Sequence, residues 1–319
     1  MKKLSKILLL GITASAMALG GMTIAQADEY PSRPVEIVVT FGPGGGADAM
    51  GRKMSQLLEK QLGVPLPVSN IAGASGNAGL TKVLTNPADG YTLGTLIALS
   101  VSSWASGLGT ARPDDFTVIA VTQDSPSMLF VSKSSPLKTF QDFLDAAKAN
   151  PGKLKIATSG YGTQDDMTLK YLAAQGYETT NVPFSKPSER YASPLGGHTD
   201  AIYEEPGDVA PLLKGGQLRP LVVFDDVAHP AFPDTPTSLS HGFHISDLPN
   251  FRTLAVPSST PQDIVDRLSS AVQAALATSE WKEFCESTYT CTKEYSPEES
   301  QAHVISFYKM MQHYAEKYK

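Results

Sequence analysis

Three times in this chain a short apolar, β-branched run ends in a glycine-containing turn that opens a helix. Residues 35–41 read as a buried strand. Gly42-Pro43-Gly44-Gly45-Gly46-Ala47-Asp48 follows, and Met50, Met54, Leu57, Leu58 and Leu62 then recur at helical spacing as far as Gly63. The second turn is Ala72-Gly73-Ala74-Ser75-Gly76-Asn77-Ala78-Gly79, after a strand over 64–69 that Pro65 and Pro67 weaken. The third is Ser159-Gly160-Tyr161-Gly162-Thr163, after a strand over 154–158. Strand, turn and helix in alternation predict a mostly parallel sheet. At its carboxyl edge each turn presents a helix N-terminus, where amides lack partners and the macrodipole is positive. An anion suits that place, and glycine lets the main chain itself approach a ligand. Two turns early and one late predict a cleft between two αβ units.

Further strands are expected at 91–99, 116–121, 128–131, 200–203 and 221–224. Helices are expected at 140–149, where Thr139 and Asp142 make a capping box, near 209–214, from Pro261 through Leu276, around Trp281 and Phe284, and from Pro297 to about residue 314. Residues 229–250, rich in Pro, Ser, His and Asp, read as loop. Residues 128–136 and 251–259 resemble each other, each a short strand ending in small and turn residues, and are expected to cross out to a second lobe and back. The expected order is a first lobe over 28–125, a second over 126–250, and a return to the first over 251–319.

The N-terminus carries Lys2, Lys3 and Lys6, then an apolar stretch, then Ala25-Gln26-Ala27. That is the pattern of an export leader cleaved after Ala27. Gly11, Thr13, Ser15, Gly20 and Gly21 dilute the stretch, which makes a membrane span the poorer reading. Removal of residues 1–27 takes three lysines and no acids, so the formal charge moves from −6 to −9. An acidic chain with scattered charges is a poor partner for nucleic acid or an anionic membrane surface. In an oxidising compartment Cys285 and Cys291, five residues apart, read as a disulfide, with two buried thiols as the alternative.

Other chemistry fares worse. The first turn lacks the Gly-Lys-Ser/Thr ending of a P-loop, and no acid lies between Lys60 and Ala74 where a dinucleotide fold places its ribose ligand. No Gly-x-Ser-x-Gly elbow occurs. His241, His244 and Asp247 share a loop without the spacing of a dedicated metal site. No cofactor is expected. Trp104 and Tyr161 are candidates to pack on a ligand ring, with core or surface roles as the alternative.

Tyr30-Pro31-Ser32-Arg33-Pro34 running into Gly44-Gly45-Gly46-Ala47-Asp48 resembles the tripartite tricarboxylate transporter solute-binding family of the Bordetella uptake gene type. So do Gly73-Ala74-Ser75-Gly76-Asn77-Ala78-Gly79, Ala88-Asp89-Gly90-Tyr91, Leu195-Gly196-Gly197-His198, Lys214-Gly215-Gly216, Pro233-Asp234-Thr235-Pro236 and Pro257-Ser258-Ser259-Thr260-Pro261, in order along the chain. The resemblance implies a two-lobed α/β clamp (a Venus flytrap of type II) in the periplasm, monomeric, with two αβ domains joined by two crossing strands. It would hand a small organic acid to the membrane permease components of a transporter and catalyse nothing. It places a ligand carboxylate against Phe41, Gly42, Pro43, Gly44, Gly45, Gly46, Ala47 and Asp48, and against Ala74, Ser75, Gly76, Asn77 and Ser100. Across the cleft it places Ser159, Tyr161, Gly162, Thr163 and Asp166, with Phe184, Tyr203, Glu204 and Glu205. A ligand-loaded sensor for a kinase shares this site, and an enzyme acting on small acids is the reading from another class.

Two departures matter. Where the family usually has a histidine after the second-lobe turn, this chain has Asp166, and its Tyr203-Glu204-Glu205 replaces a usual Phe-Asp-Asn. Asp165, Asp166, Glu204 and Glu205 thus crowd acid into the second half of the site, unless some face solvent. Acids repel a second carboxylate, so the expected ligand has a neutral or cationic far end, as in an amino acid or a nitrogenous heterocyclic acid.

Overall fold

A computed structural model describes residues 30–246 and 248–318; the expected leader, its cleavage point and Asp247 lie outside them. In chain order the elements are β1 (Glu36–Val39), α1 (Gly46–Leu62), β2 (Val68–Asn70), α2 (Asn77–Thr85), β3 (Thr92–Ile97), α3 (Ala98–Ala105), β4 (Phe116–Ser125), β5 (Met128–Ser132), α4 (Phe140–Ala149) and β6 (Lys155–Thr158). They continue as α5 (Gln164–Ala174), β7 (Thr180–Pro183), α6 (Pro187–Ala192), β8 (Ala201–Glu204), α7 (Ala210–Lys214), β9 (Leu218–Val223), β10 (Asn250–Pro257), α8 (Gln262–Leu276), α9 (Ser279–Thr288) and α10 (Pro297–Lys317).

The strands form two five-stranded sheets with the same plan, β2-β1-β3-β10-β4 and β7-β6-β8-β5-β9. In each, one strand runs against the rest: β10 between β3 and β4, and β5 between β8 and β9. All other pairings are parallel. The shared plan makes β6 into α5 the counterpart of β1 into α1. Likewise β7 into α6 answers β2 into α2.

Apolar periodicity builds the layers. Met50, Met54, Leu57 and Leu58 of α1 and Val265, Leu268 and Val272 of α8 bury themselves against Ile37 and Val39 of the first sheet. Each such side chain contributes about 1.5–3 kcal/mol by leaving water. On the other face α10 sets Val304, Phe307 and Met311 against β4 and α3, and its far end reaches α5 of the second lobe.

Residues 98 and 99 were expected to extend the third strand; that strand stops at Ile97 and α3 begins. The helix is buried on nearly every side, so its run of Ala, Leu, Ser and Val carries no polar face to signal a turn period. The segment β7 and α6 was not foreseen at all. The crossings also differ from expectation. The chain leaves the first sheet after Ser125 and enters the second at Met128, and it returns at Asn250, which sits opposite Ser125 in the ladder. β5 pairs wholly within the second sheet and β10 wholly within the first, so neither strand is a free link.

Candidate functional site

The carboxyl ends of the parallel strands from both sheets converge on a cavity of about 650 Å³. A larger void of about 1050 Å³ lies elsewhere, among the flanks of α8 and α9 and the segment after the disulfide. It lacks converging strand ends, so the smaller cavity is the better site.

Phe41, Gly42, Gly45, Gly46 and Ala47 form one wall. α1 starts at Gly46 without a side-chain cap, which leaves its first amides to a ligand or water. Pro43, Gly44 and Asp48 do not line the cavity. Asp48 works from behind: it accepts from the Gly44 N–H (3.0 Å) and the Asn70 amide (2.9 Å), and it pairs with Arg52 at 2.9 Å. Burial opposes its charge, but Arg52, Gly44 and Asn70 outweigh that and hold its pKa below the usual carboxylate range. Gly44 itself is left-handed, at φ 84°.

Gly73, Ala74, Ser75 and Gly76 form the second wall, and all four have positive φ. For Ala74 and Ser75 that conformation costs roughly 1–2 kcal/mol each, a strain concentrated at ligand clamps and turns. Asn77 faces away. Its amide donates to Ala74 O (2.6 Å), and its Oδ1 accepts from Trp104 Nε1 (2.6 Å). Trp104 is buried and stacks on Phe116, so it belongs to the core. Ser100 is buried behind Gly76 and its Oγ has no protein partner.

The third turn is placed differently from expectation. Only Ser159 reaches the cavity. Tyr161, 59% exposed, lines a separate hollow of about 490 Å³ with Gly162 and Asp166. Thr163 is fully buried and donates to Gly160 O. Asp166 accepts from Gly162 N–H (3.0 Å) and Asn181 (2.8 Å) and pairs with Lys170. This turn is a contact between the lobes: Ser106 Oγ of the first donates to Gly162 O at 2.8 Å.

Its place in the cleft is taken by residues 184–187, between β7 and α6. Phe184, Ser185, Lys186 and Pro187 line the cavity, followed by Arg190 and Tyr191. Sequence reading named Phe184 and missed the others. The turn has no glycine; its readable signal is Pro187 at the first position of a helix, after Val182 and Pro183.

From β8 and beyond, Glu204 and Asp208 line the cavity, while Tyr203 and Glu205 do not. Tyr203 turns into the core, stacked on Phe224 with its hydroxyl 3.1 Å from Thr168. The acids are not alone. Arg190 pairs with Glu204, and Arg252, reaching over from β10, pairs with Glu205 and at 2.8 Å with Asp208. Tyr191 donates to Asp208 at 3.0 Å. Asp165 lies behind, fully buried, accepting from Ser159 N–H at 2.6 Å. Burial, only partly offset by Arg190, pushes Glu204 up to about 8. Burial moves Glu205 and Asp165 upward too. Burial opposes the charge of both arginines, yet the surrounding acids hold their pKa above the usual range. Neither arginine was singled out from sequence. One lies in a six-residue helix and the other in a strand read as hinge.

Residues 50–304 match the model of the tripartite tricarboxylate transporter family receptor. The chain belongs to that family. A relative from Cupriavidus necator, described as the UPF0065 protein in the gbd 5′ region, is 32% identical over 86% of this chain and 84% of its own length. The structure of the periplasmic binding protein BugD superposes with a TM-score of 0.82, at 25% identity, over 90% of this chain and 98% of that one. MatC from Rhodopseudomonas palustris, solved with bound malate, gives 0.81 at 25% identity over 90% of this chain and all of its own. The tripartite tricarboxylate receptor family is one of solute receptors, and its two-lobed fold is the one described above. Among the described residues no helix of this receptor is long and apolar enough to cross a membrane. Its cysteines, Cys285 and Cys291, form the disulfide expected of the pair.

Proposed function

We propose that this receptor is exported to the periplasm and closes on a small solute bearing one carboxylate and a neutral or cationic far end. The captured solute passes to the membrane permease of a tripartite tricarboxylate-type transporter, and the receptor itself catalyses nothing. The uncapped amides at Gly46 and the Ala74–Gly76 turn take the carboxylate in this reading.

The observation that carries it is the charge count on the far wall. Two buried guanidiniums, Arg190 and Arg252, face four buried carboxyl side chains, Asp165, Glu204, Glu205 and Asp208. Both guanidiniums are already committed to acids, and Lys186, the other cation that lines the cavity, pairs with Glu189, so no unpaired cation remains for a second carboxylate. An ammonium or a ring N–H placed beside Glu204 and Asp208 would find carboxyl acceptors there and favour the ionised form of Glu204, which burial otherwise holds protonated. MatC, by contrast, was solved with malate, which has two carboxylates. The test is mass spectrometry of the solute that co-purifies, followed by thermal-shift screening of amine-bearing acids against simple dicarboxylates. Strong stabilisation by malate or succinate and none by amino or heterocyclic acids would sink the reading.

A further inference from the structure

The loop closed by Cys285 and Cys291 begins in the last turn of α9, yet it leans on the second lobe. His229 Nε2 donates to Tyr289 O at 3.0 Å, and Lys214 Nζ donates to Ser287 O at 2.8 Å. A Cβ at Gly207, next to Asp208, would lie 2.6 Å from Thr288 O, so the loop abuts the chain that carries the cleft acids. Inside the loop Thr290 sits between two left-handed residues, Tyr289 at φ 55° and Cys291 at φ 63°. L-residues rarely adopt that conformation unless the surroundings enforce it.

Thr290 Oγ1 accepts from Gln123 Nε2 at 2.7 Å, and Gln123 Oε1 accepts from Arg252 Nη1 at 3.2 Å. Arg252 then donates to Asp208 at 2.8 Å and pairs with Glu205, both on the second lobe. Thr290, Gln123 and Arg252 are all buried. The order of the chain matters because a carboxamide has two unlike ends. The guanidinium only donates, so Gln123 must offer it oxygen and turn its NH2 to Thr290, whose hydroxyl accepts and anchors it there. Reversed, it would set N–H against N–H.

We propose that Thr290 is a positioning residue of the cleft: by fixing the Gln123 carboxamide it presents Arg252 to Glu205 and Asp208, so that the disulfide-closed loop helps to hold the lobes together. The loop touches no solute in this arrangement. It acts on the open–closed balance, and any ligand that bridges the lobes inherits the bias.

The test needs no ligand, so its outcome is separate from the reading of the solute. The purified protein, stripped by unfolding and refolded with its disulfide intact, is compared with Thr290→Val, Thr290→Ser, Gln123→Leu and the Thr290→Val/Gln123→Leu double variant by small-angle X-ray scattering. Thr290→Val keeps the shape and removes the acceptor, and its scattering shifts to a larger radius of gyration. Thr290→Ser stays with the unsubstituted protein. The double variant opens no further than Gln123→Leu alone, because the two residues act in series. Gln123→Leu leaves the loop untouched and carries the test if Thr290→Val does not fold. Scattering of Thr290→Val or Gln123→Leu that superimposes on the unsubstituted protein overturns the proposal, as does a double variant whose expansion is the sum of the two.

Discussion

Gly46 is the point at which one methyl group should disturb both the ion pair between the lobes and the binding that depends on it. A Cβ built there falls inside the van der Waals envelope of Asp208 Oδ1 and Arg252 Nη2, and only 2.6 Å from Arg252 Cζ. It would occupy the junction of the ion pair that joins the lobes. Neither partner has an easy escape, since Asp208 is tied to Tyr191 and Arg252 to Gln123. Gly46 opens α1, and alanine there would favour the helix by at most about 0.5–1 kcal/mol. Displacing a charge-assisted hydrogen bond costs about 1.5–3 kcal/mol, so the clash wins. The Asp208 part of the clash arises only when the lobes are closed, because Asp208 approaches Gly46 from the other lobe; Arg252 shares the first lobe with Gly46 and must shift in either state. Gly46→Ala should therefore weaken solute binding on the order of 10- to 100-fold, since about 1.4 kcal/mol is a factor of ten. The melting temperature of the ligand-free protein should fall as well, because Arg252 must shift whether the lobes are open or closed. Calorimetry with the co-purifying solute, beside a melt of the stripped protein, measures both. A Gly46→Ala protein with undiminished affinity would refute the argument.

Stability should fall as pH rises from about 7 to about 8.5. Folded Glu204, held up to about 8, keeps a proton that the unfolded glutamate has lost, and deprotonating it costs about 1 kcal/mol across that window. His229 and His303, lowered chiefly by burial, add only a small slope of the opposite sign near pH 7, where an unfolded imidazole is still partly protonated. Glu204→Gln should weaken the trend, with Glu205, also raised by burial, keeping part of it, and a melting temperature that climbs with pH would contradict it. Arg190→Met strands Glu204 in the interior, which should cost about 3–5 kcal/mol where the carboxylate is charged and less at acid pH; urea melts at the two ends of the range report the difference. Replacing Cys285 and Cys291 by serine opens a short loop and should remove about 2 kcal/mol, read as a lower urea midpoint at unchanged slope.

The first two glycine turns were legible because glycine holds several of their positive-φ positions, though Ala74 and Ser75 adopt the same conformation without it. Gly44, Gly73 and Gly76 take positive φ at the places the sequence suggested. The third turn obeyed the same local rule, yet packing decided its role: Ser106 and Leu108 of the first lobe fill the space before it. Local sequence sees a turn and not what lies opposite. The turn at 184–187 escaped for the converse reason, since Pro187 and a bare strand end build it without glycine. Buried arginines were invisible because nothing local distinguishes Arg190 or Arg252 from a solvated cation. Only the strand plan, with β10 laid between β3 and β4, brings Arg252 to Glu205 and Asp208. The acids at 204 and 205 were readable only as neighbouring carboxyl groups; both are buried, Glu204 alone of the two lines the cavity, and their cationic partners come from elsewhere along the chain.

The position of β10 also sets an order of assembly. Every strand of the second sheet lies between residues 128 and 223, so that sheet is complete as soon as this stretch of chain is available. The first sheet waits for Asn250–Pro257. Until they arrive β4 has no ladder partner, and β3 shows an open edge on one side. Exported as proposed, N-terminus first through a membrane channel, the chain would present unpaired, β-branched edges from its first lobe while its second lobe closes. The same strand that carries Arg252 to the cleft ends that exposure, so damage to residues 250–257 should appear first as aggregation of newly exported chains rather than as weaker capture of solute.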